Sequence, residues 1–451
     1  MTENINIELE KAVLIGLVTQ DISESDLQVS LDELERLCET AGIQAEARLT
    51  QGRYAPDPAT YIGTGKLEEA KIIIEANNID LAVIDDELSP SQIRNIEDKL
   101  DIEVIDRTML ILEIFANHAH TSEGKLQVEI AQLRYTAPRL TGKGKDMTRI
   151  GGGGVGGGGT GGGGGGAGGG VGGARRGSGE TKLETERRII RSNISALEKE
   201  IAQLEKTRGL MRSRREKTGI PNIAIAGYTN SGKSTLLNYL TQAGVLAENK
   251  LFATLDPTTR KLKLPNGTEV LLTDTVGLIK KLPHHLVRAF KSTLDEIIYA
   301  DIILLVADIS DPEHQNQIEV TRNLLNEMGA SDKPFIIAYN KIDALVGNGF
   351  IRSEITDGIN AVPTDAPEQE IYISAKTGEG VQELLLKIQS VLESQRKPVT
   401  FIFELNGREQ AYINNLYKSS HVSDIEYNAD SVTVKAVADE KIRSMYADFA
   451  R

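Results

Sequence analysis

The residues best placed to do chemistry form one run, Gly227-Tyr228-Thr229-Asn230-Ser231-Gly232-Lys233-Ser234, spaced G-x-x-x-x-G-K-S and followed by Thr235. The apolar segment Asn222-Ile223-Ala224-Ile225-Ala226 leads into it as a buried strand would, and Thr235-Leu236-Leu237-Asn238-Tyr239-Leu240 leads out with helical character. Strand, glycine turn and helix start aim backbone N–H groups and the positive end of a helix at one point. That point suits a triphosphate. Lys233 would reach the β and γ oxygens, and the Ser234 hydroxyl would ligate magnesium.

Four further segments follow in the order a guanine-nucleotide site needs. Leu271-Leu272-Thr273-Asp274-Thr275-Val276-Gly277 is an apolar strand ending in D-x-x-G. There Asp274 can hold the magnesium shell and the Gly277 amide can sense the γ-phosphate. Asn340-Lys341-Ile342-Asp343 follows the apolar strand Phe335 to Ala338. A carboxylate there accepts the N1 and exocyclic amino protons of guanine, a pattern adenine does not offer. Ser374-Ala375-Lys376, after Ile371-Tyr372-Ile373, resembles the loop whose backbone amide contacts the guanine oxygen. Between the glycine loop and D-x-x-G lies Phe252-Ala253-Thr254-Leu255-Asp256-Pro257-Thr258-Thr259, which reads as a first switch loop with one threonine completing the magnesium shell. By spacing, Thr254, Thr258 and Thr259 all compete for that role. The expected substrate is GTP, bound with Mg2+. Leu278 stands after Gly277, where many GTPases carry glutamine, and leucine cannot hydrogen-bond a water. Slow intrinsic hydrolysis follows, with the missing help supplied by a partner or by another ordering of the switches.

A chain of 451 residues is too long for one ordinary core, so three or four domains must position these motifs. Residues 1–107 alternate strand-like segments (Ala12–Thr19, Leu81–Ile84, Glu103–Ile105) with helical ones (Asp26–Ala41, Leu67–Ala76), which predicts an α/β domain with a parallel sheet. Gly63-Thr64-Gly65-Lys66 lacks the four-residue spacer of a phosphate loop and reads as a turn before a helix. Residues 108–217 carry two helical stripes. One runs through Leu126, Ile130, Leu133, Ala137 and Leu140; the other runs through Ile190, Ile194, Leu197, Ile201, Leu204 and Met211, with Arg208 interrupting it. Both are spaced to pack as an antiparallel hairpin whose basic, glycine-rich loop spans 138–182. Of the 23 residues Gly151–Gly173, 19 are glycine, so no packed element is expected there. Lys143, Lys145, Arg149, Arg175 and Arg176 flank that tract. Residues 218–395 alternate strands and helices as a doubly wound sheet, with helices including His284–Ala300 and Val381–Leu392. Residues 396–451 read as a small α+β domain ending in a helix over Asp439–Phe449. The predicted fold class is therefore α/β: a P-loop GTPase domain with an N-terminal α/β domain, a long helical hairpin and a small C-terminal α+β domain.

Composition narrows the setting. The formal charge of −14 argues against a general nucleic-acid binder, yet Thr121–Lys217 holds 19 Lys/Arg against 10 Asp/Glu. A basic middle on an acidic body points to one local polyanion contact. Cys38 is the single cysteine, which excludes an internal disulfide framework and indicates a reducing compartment. No apolar stretch is long enough to span a bilayer, and Ala12–Val18 is too short for a signal peptide. A cytoplasmic monomer is expected, with peripheral attachment at a membrane surface left open.

The order of parts resembles the HflX family of ribosome-associated GTPases. The matching stretches are Pro56-Asp57-Pro58-Ala59-Thr60-Tyr61-Ile62-Gly63 running into Thr64-Gly65-Lys66, Gln132-Leu133-Arg134-Tyr135, Gly177-Ser178-Gly179-Glu180-Thr181-Lys182-Leu183-Glu184-Thr185, Gly227-Tyr228-Thr229-Asn230, and Phe252 to Pro257. The resemblance covers nearly the whole chain. It implies binding to the large ribosomal subunit, GTP hydrolysis in response, and splitting of stalled or idle ribosomes under stress. It also implies that the hairpin and its loop reach ribosomal RNA near the peptidyl-transferase region. An assembly GTPase, or a nucleotide-gated module that occupies the ribosome without splitting it, is the alternative. By family position Thr254 becomes the switch threonine on magnesium, joining Ser234 and Asp274, and acts with Lys233 and Gly277 on the reacting phosphate. Asn230 occupies the position that in some related GTPases accompanies a potassium ion. Two features depart from the family: a longer glycine tract at the tip, and Ser178 where proline is usual.

Overall fold

A computed structural model describes residues 9–140, 177–216, 220–241, 251–252, 257–281, 291–347, 369–394, 397–405, 407–438 and 440–450. The glycine tract Gly151–Gly173, its flanking Lys143, Lys145, Arg149, Arg175 and Arg176, and Ala253, Thr254, Leu255 and Asp256 lie outside these residues. The chain forms two compact units, Met1–Glu113 with Leu126–Ile201, and Ile114–Lys125 with Ala202–Arg451.

The first unit is built on a four-stranded parallel sheet in the order β2-β1-β3-β4, with β1 Glu10–Val18, β2 Ile43–Gly52, β3 Leu81–Ile84 and β4 Glu103–Asp106. Central strand β1 is buried from Ala12 to Leu17, so its sequence is a continuous apolar run. Edge strand β2 was not foreseen. Ile43 and Leu49 are buried and the residues between them alternate exposed and half-buried, but the inward residues at 45 and 47 are alanines, which weakens the apolar signal. Helices Glu24–Ala41 and Pro90–Leu100 start at capping boxes on Ser23 and Ser89. Gly63 caps the helix Thr64–Asn77 in extended conformation, as the turn reading of that motif requires.

The arms follow. Helix Ser122–Thr136 ends in a 3-10 turn, Ala137–Leu140, and its partner is the 40-residue helix Gly177–Glu216. On the long helix Ile190, Ile194, Leu197, Ile201, Leu204 and Arg208 are half-buried, while the residues between them are exposed. Arg134 pairs with Glu198, and Arg208 Nη2 lies 2.9 Å from Glu123. The arginine that interrupts the apolar stripe is therefore an ion-pair partner for the other arm.

In the second unit a six-stranded sheet has the order β10-β9-β8-β5-β7-β6. Its strands are β5 Asn222–Gly227, β6 Thr258–Lys263, β7 Glu269–Asp274, β8 Ile302–Asp308, β9 Phe335–Asn340 and β10 Gln369–Tyr372. Only β6 runs antiparallel, on β7. Chain order reverses at β5, which places a crevice beyond the carboxyl ends of the parallel strands. Strand β6 was not foreseen as a strand, and it absorbs Thr258 and Thr259. After the helix Val381–Ser394, an antiparallel sheet β11-β13-β12 (β11 Lys397–Glu404, β12 His421–Tyr427, β13 Ser431–Ala438) packs its apolar face around Phe401, Phe403, Tyr412 and Tyr446. The final helix expected as one piece is two, Glu440–Met445 and a 3-10 turn Ala447–Phe449.

Candidate nucleotide-binding site

The glycine loop leaves the end of β5 and enters the helix Lys233–Thr241. Two of its glycines are required by geometry. Gly227 has φ +149° and its missing Cβ would sit 2.2 Å from the Val306 carbonyl oxygen. Gly232 has φ +95°, and a Cβ there would lie 2.2 Å from Asn340 Nδ2. Lys233 is buried, and its ammonium donates to the carbonyls of Gly227 (3.2 Å) and Tyr228 (2.7 Å). Burial pushes its pKa down to about 8, against the opposing pull of the Asp274 carboxylate. An incoming phosphate chain would supply a counter-charge that stabilises the ammonium form.

The D-x-x-G segment is laid along this loop. Ser234 Oγ donates to Asp274 Oδ2 at 2.6 Å, which brings the two expected metal ligands together. Thr275 Oγ1 donates to the Ile225 carbonyl at 2.7 Å, and the Val276 side chain is buried. Gly277 lies so close to the loop that a Cβ would meet Thr229 Cα at 2.9 Å and Lys233 Nζ at 3.1 Å. Leu278, 2% exposed, bridges to the loop: its N–H donates to Gly227 O (3.1 Å) and its carbonyl accepts from Thr229 N (2.9 Å). The Leu278 side chain is thus core, not a reagent. Tyr228 contributes a contact that sequence reasoning missed, its hydroxyl accepting from Lys280 N at 2.7 Å. Nothing in the spacing of motifs announces that bond.

At the base end, Asn340 ties three motifs together. Its Nδ2 donates to Ser231 O and its Oδ1 accepts from Ala375 N, both at 2.8 Å. Ser374 Oγ donates to Asp343 Oδ1 at 2.7 Å and accepts from Thr377 N at 3.1 Å. The carboxylate is therefore held by the very loop whose amide is expected at the guanine oxygen. Lys341, at φ +68°, pairs with Asp308 at 2.6 Å; Ile342 is buried and Lys376 exposed. Of the first switch loop, Phe252 (φ +56°) is buried edge-on against Phe115, with ring centroids 4.6 Å apart. Thr259 Oγ1 is 3.0 Å from Thr273 Oγ1 on the paired strand, which commits it to β6.

The donor set fits magnesium. Ser234 and Asp274 offer hard oxygens side by side, and no cluster of three or more His, Cys, Asp or Glu occurs among the described residues. One hydroxyl and one carboxylate, completed by phosphate oxygens and water, is how Mg2+ is usually held. The ion would neutralise charge between the phosphate oxygens.

A doubly wound sheet bearing this loop, D-x-x-G, N-K-x-D and S-A-K at one edge defines a P-loop GTPase, an enzyme hydrolysing GTP to GDP and phosphate. Family models match in three places: "GTP-binding GTPase N-terminal" over residues 28–116, "GTP-binding GTPase Middle Region" over 118–215, and "50S ribosome-binding GTPase" over 222–341. The GTPase HflX of Lacrimispora saccharolytica is 44% identical, covering 100% of this chain and 99% of the relative. That of Escherichia coli K12 is 39% identical over 86% of this chain and 84% of the relative. A solved GTP-binding protein from Sulfolobus solfataricus in complex with GDP is 25% identical, covering 85% of this chain and 98% of that one at a TM-score of 0.42. The chain belongs to the HflX family of GTPases.

Proposed function

We propose that this GTPase binds the large ribosomal subunit, is stimulated there to hydrolyse GTP, and splits stalled or idle ribosomes under stress. The observation that carries the reading is the burial of Leu278, 2% exposed. At the position where a water-orienting side chain is expected, the enzyme holds a packed apolar group, so fast turnover requires an activator. The activator's chemistry is supported by the basic segment Thr121–Lys217, on which Arg187, Arg188 and Arg191 are exposed. It is supported further by the match of residues 222–341 to a model described as a 50S ribosome-binding GTPase. RNA is the polyanion that such a surface meets on a ribosome.

In this reading Ser234, Asp274 and Thr254 form the metal shell, and Asn230 is the residue assigned to a potassium ion. The protein is proposed to act as a cytoplasmic monomer. Separately, among the described residues no helix is long and apolar enough to cross a membrane. Co-sedimentation with large subunits checks the binding. It is expected with a non-hydrolysable GTP analogue, weakened with GDP, and reduced by reversing Arg187, Arg188 and Arg191 to glutamate. Equal pelleting of the reversed variant would remove the basic arm from the account. Light scattering of intact ribosomes separates splitting, which lowers the signal, from a module that binds without splitting.

A further inference from the structure

Two hydroxyls of the glycine loop, Thr229 Oγ1 and Ser231 Oγ, are buried with no hydrogen-bond partner among the described residues. A buried hydroxyl left unpaired costs free energy, so each demands an explanation. Ser231 Oγ lies beside Gly227 at the root of the loop, 3.1 Å from where a Cβ there would stand. Thr229 is placed differently. Its residue is 6% exposed, and its side chain lies against Gly277, whose missing Cβ would be 2.8 Å from Thr229 Cγ2 and 3.1 Å from Lys233 Nζ. Gly277 and Lys233 are the two groups assigned to the γ-phosphate in this reading, and the Thr229 side chain lies against the first of them, with its methyl the nearest atom, so its hydroxyl belongs to the same corner of the site. The Leu278 side chain, packed in the core, can hold no water there.

We propose that Thr229 Oγ1 hydrogen-bonds the attacking water once the activating ribosomal subunit has ordered the site, and is the catalytic residue that acts there in place of the absent glutamine. In the step it assists, the water oxygen bonds to the γ-phosphorus and the bond from that phosphorus to the β-phosphate oxygen breaks. The electron pair stays on GDP and the water's proton ends on the released phosphate. Threonine exchanges no proton with either product; its hydroxyl fixes the direction of approach. The proposal rests on the P-loop GTPase reading of the site, which the unmodified protein checks in the same assay.

The test is single-turnover GTP hydrolysis by the full chain, with and without large ribosomal subunits, for Thr229→Val and Thr229→Ser. Valine keeps the branched shape and removes the hydroxyl; serine keeps the hydroxyl. Thr229→Val is expected to slow hydrolysis by about tenfold to a hundredfold. Its affinities for GDP and for a non-hydrolysable GTP analogue should stay within about twofold of the unmodified protein, as a group acting on the water alone requires. Thr229→Ser is expected to hydrolyse close to the unmodified rate. Undiminished hydrolysis by the valine variant would overturn the assignment. So would an equal loss of analogue affinity, which would make Thr229 a binding or folding residue, and so would a serine variant as slow as the valine one.

Discussion

Asp343→Asn is expected to lower affinity for GTP by about 100- to 1,000-fold and to transfer preference to xanthosine triphosphate. The carboxylate is set by Ser374 Oγ at 2.7 Å on Oδ1, and the Ser374 loop is set in turn by Asn340 through Ala375 N at 2.8 Å. A carboxylate held in one orientation accepts two charge-assisted hydrogen bonds from guanine, together worth about 3–4 kcal/mol, which is the predicted loss. Asparagine keeps the size and the acceptor toward Ser374 but presents an amide N–H to the base. Guanine then meets donor against donor, while xanthine offers a carbonyl that pairs. Competition of GTP and XTP for a fluorescent nucleotide measures both affinities. An unchanged preference for GTP would mean that the base lies elsewhere.

Gly277→Ala is the second large effect. A methyl group there would stand 2.8 Å from Thr229 Cγ2, 2.9 Å from Thr229 Cα and 3.1 Å from Lys233 Nζ. The Cγ2 atom can turn away, but the backbone Cα cannot. The segment must lift, breaking the bridge in which Leu278 N donates to Gly227 O and Thr229 N donates to Leu278 O. The Gly277 amide then leaves the γ-phosphate. Losing one such preorganised donor costs about 10²–10³ in turnover. GDP has no γ-phosphate, so its affinity should stay within roughly threefold. Hydrolysis within a few-fold of the unmodified protein would contradict the placement of Gly277. A loss of GDP affinity equal to the loss of turnover would indicate general damage to the loop.

Why some of this was legible in the sequence and some was not follows from what each feature depends on. Gly227, Gly232, Lys233 and Ser234 occupy one contiguous run because a phosphate chain needs consecutive amides, and contiguous chemistry leaves a local spacing. Asp274 and Asp343 were legible for a similar reason: Asp274 ends an apolar strand and Asp343 follows one by three residues, at the side of an open sheet where ligands are placed. Strand β2 was missed although Ile43, Ala45, Ala47 and Leu49 alternate with Gln44, Glu46 and Arg48: an edge strand buries little, and two of its four inward residues are only alanine. Asn340 shows the limit most clearly. Its motif marked it for the base, but its work as a tie between Ser231 and Ala375 spans 109 and 35 residues of sequence. The Phe252–Phe115 ring contact is likewise invisible until the chain folds. For the first switch loop, spacing left three threonines, and pairing of β6 with β7 now engages Thr259.

The measurement that tests the account most directly is GTP turnover by the purified full chain, alone and with purified large ribosomal subunits, in potassium and in sodium. Slow turnover alone and strong stimulation by the subunits are predicted, because Leu278 is packed away at the position that would orient the water. A higher rate in potassium is predicted from Asn230. Fast turnover by the free protein, or bound GTP with no response to the subunits, would contradict a ribosome-activated enzyme.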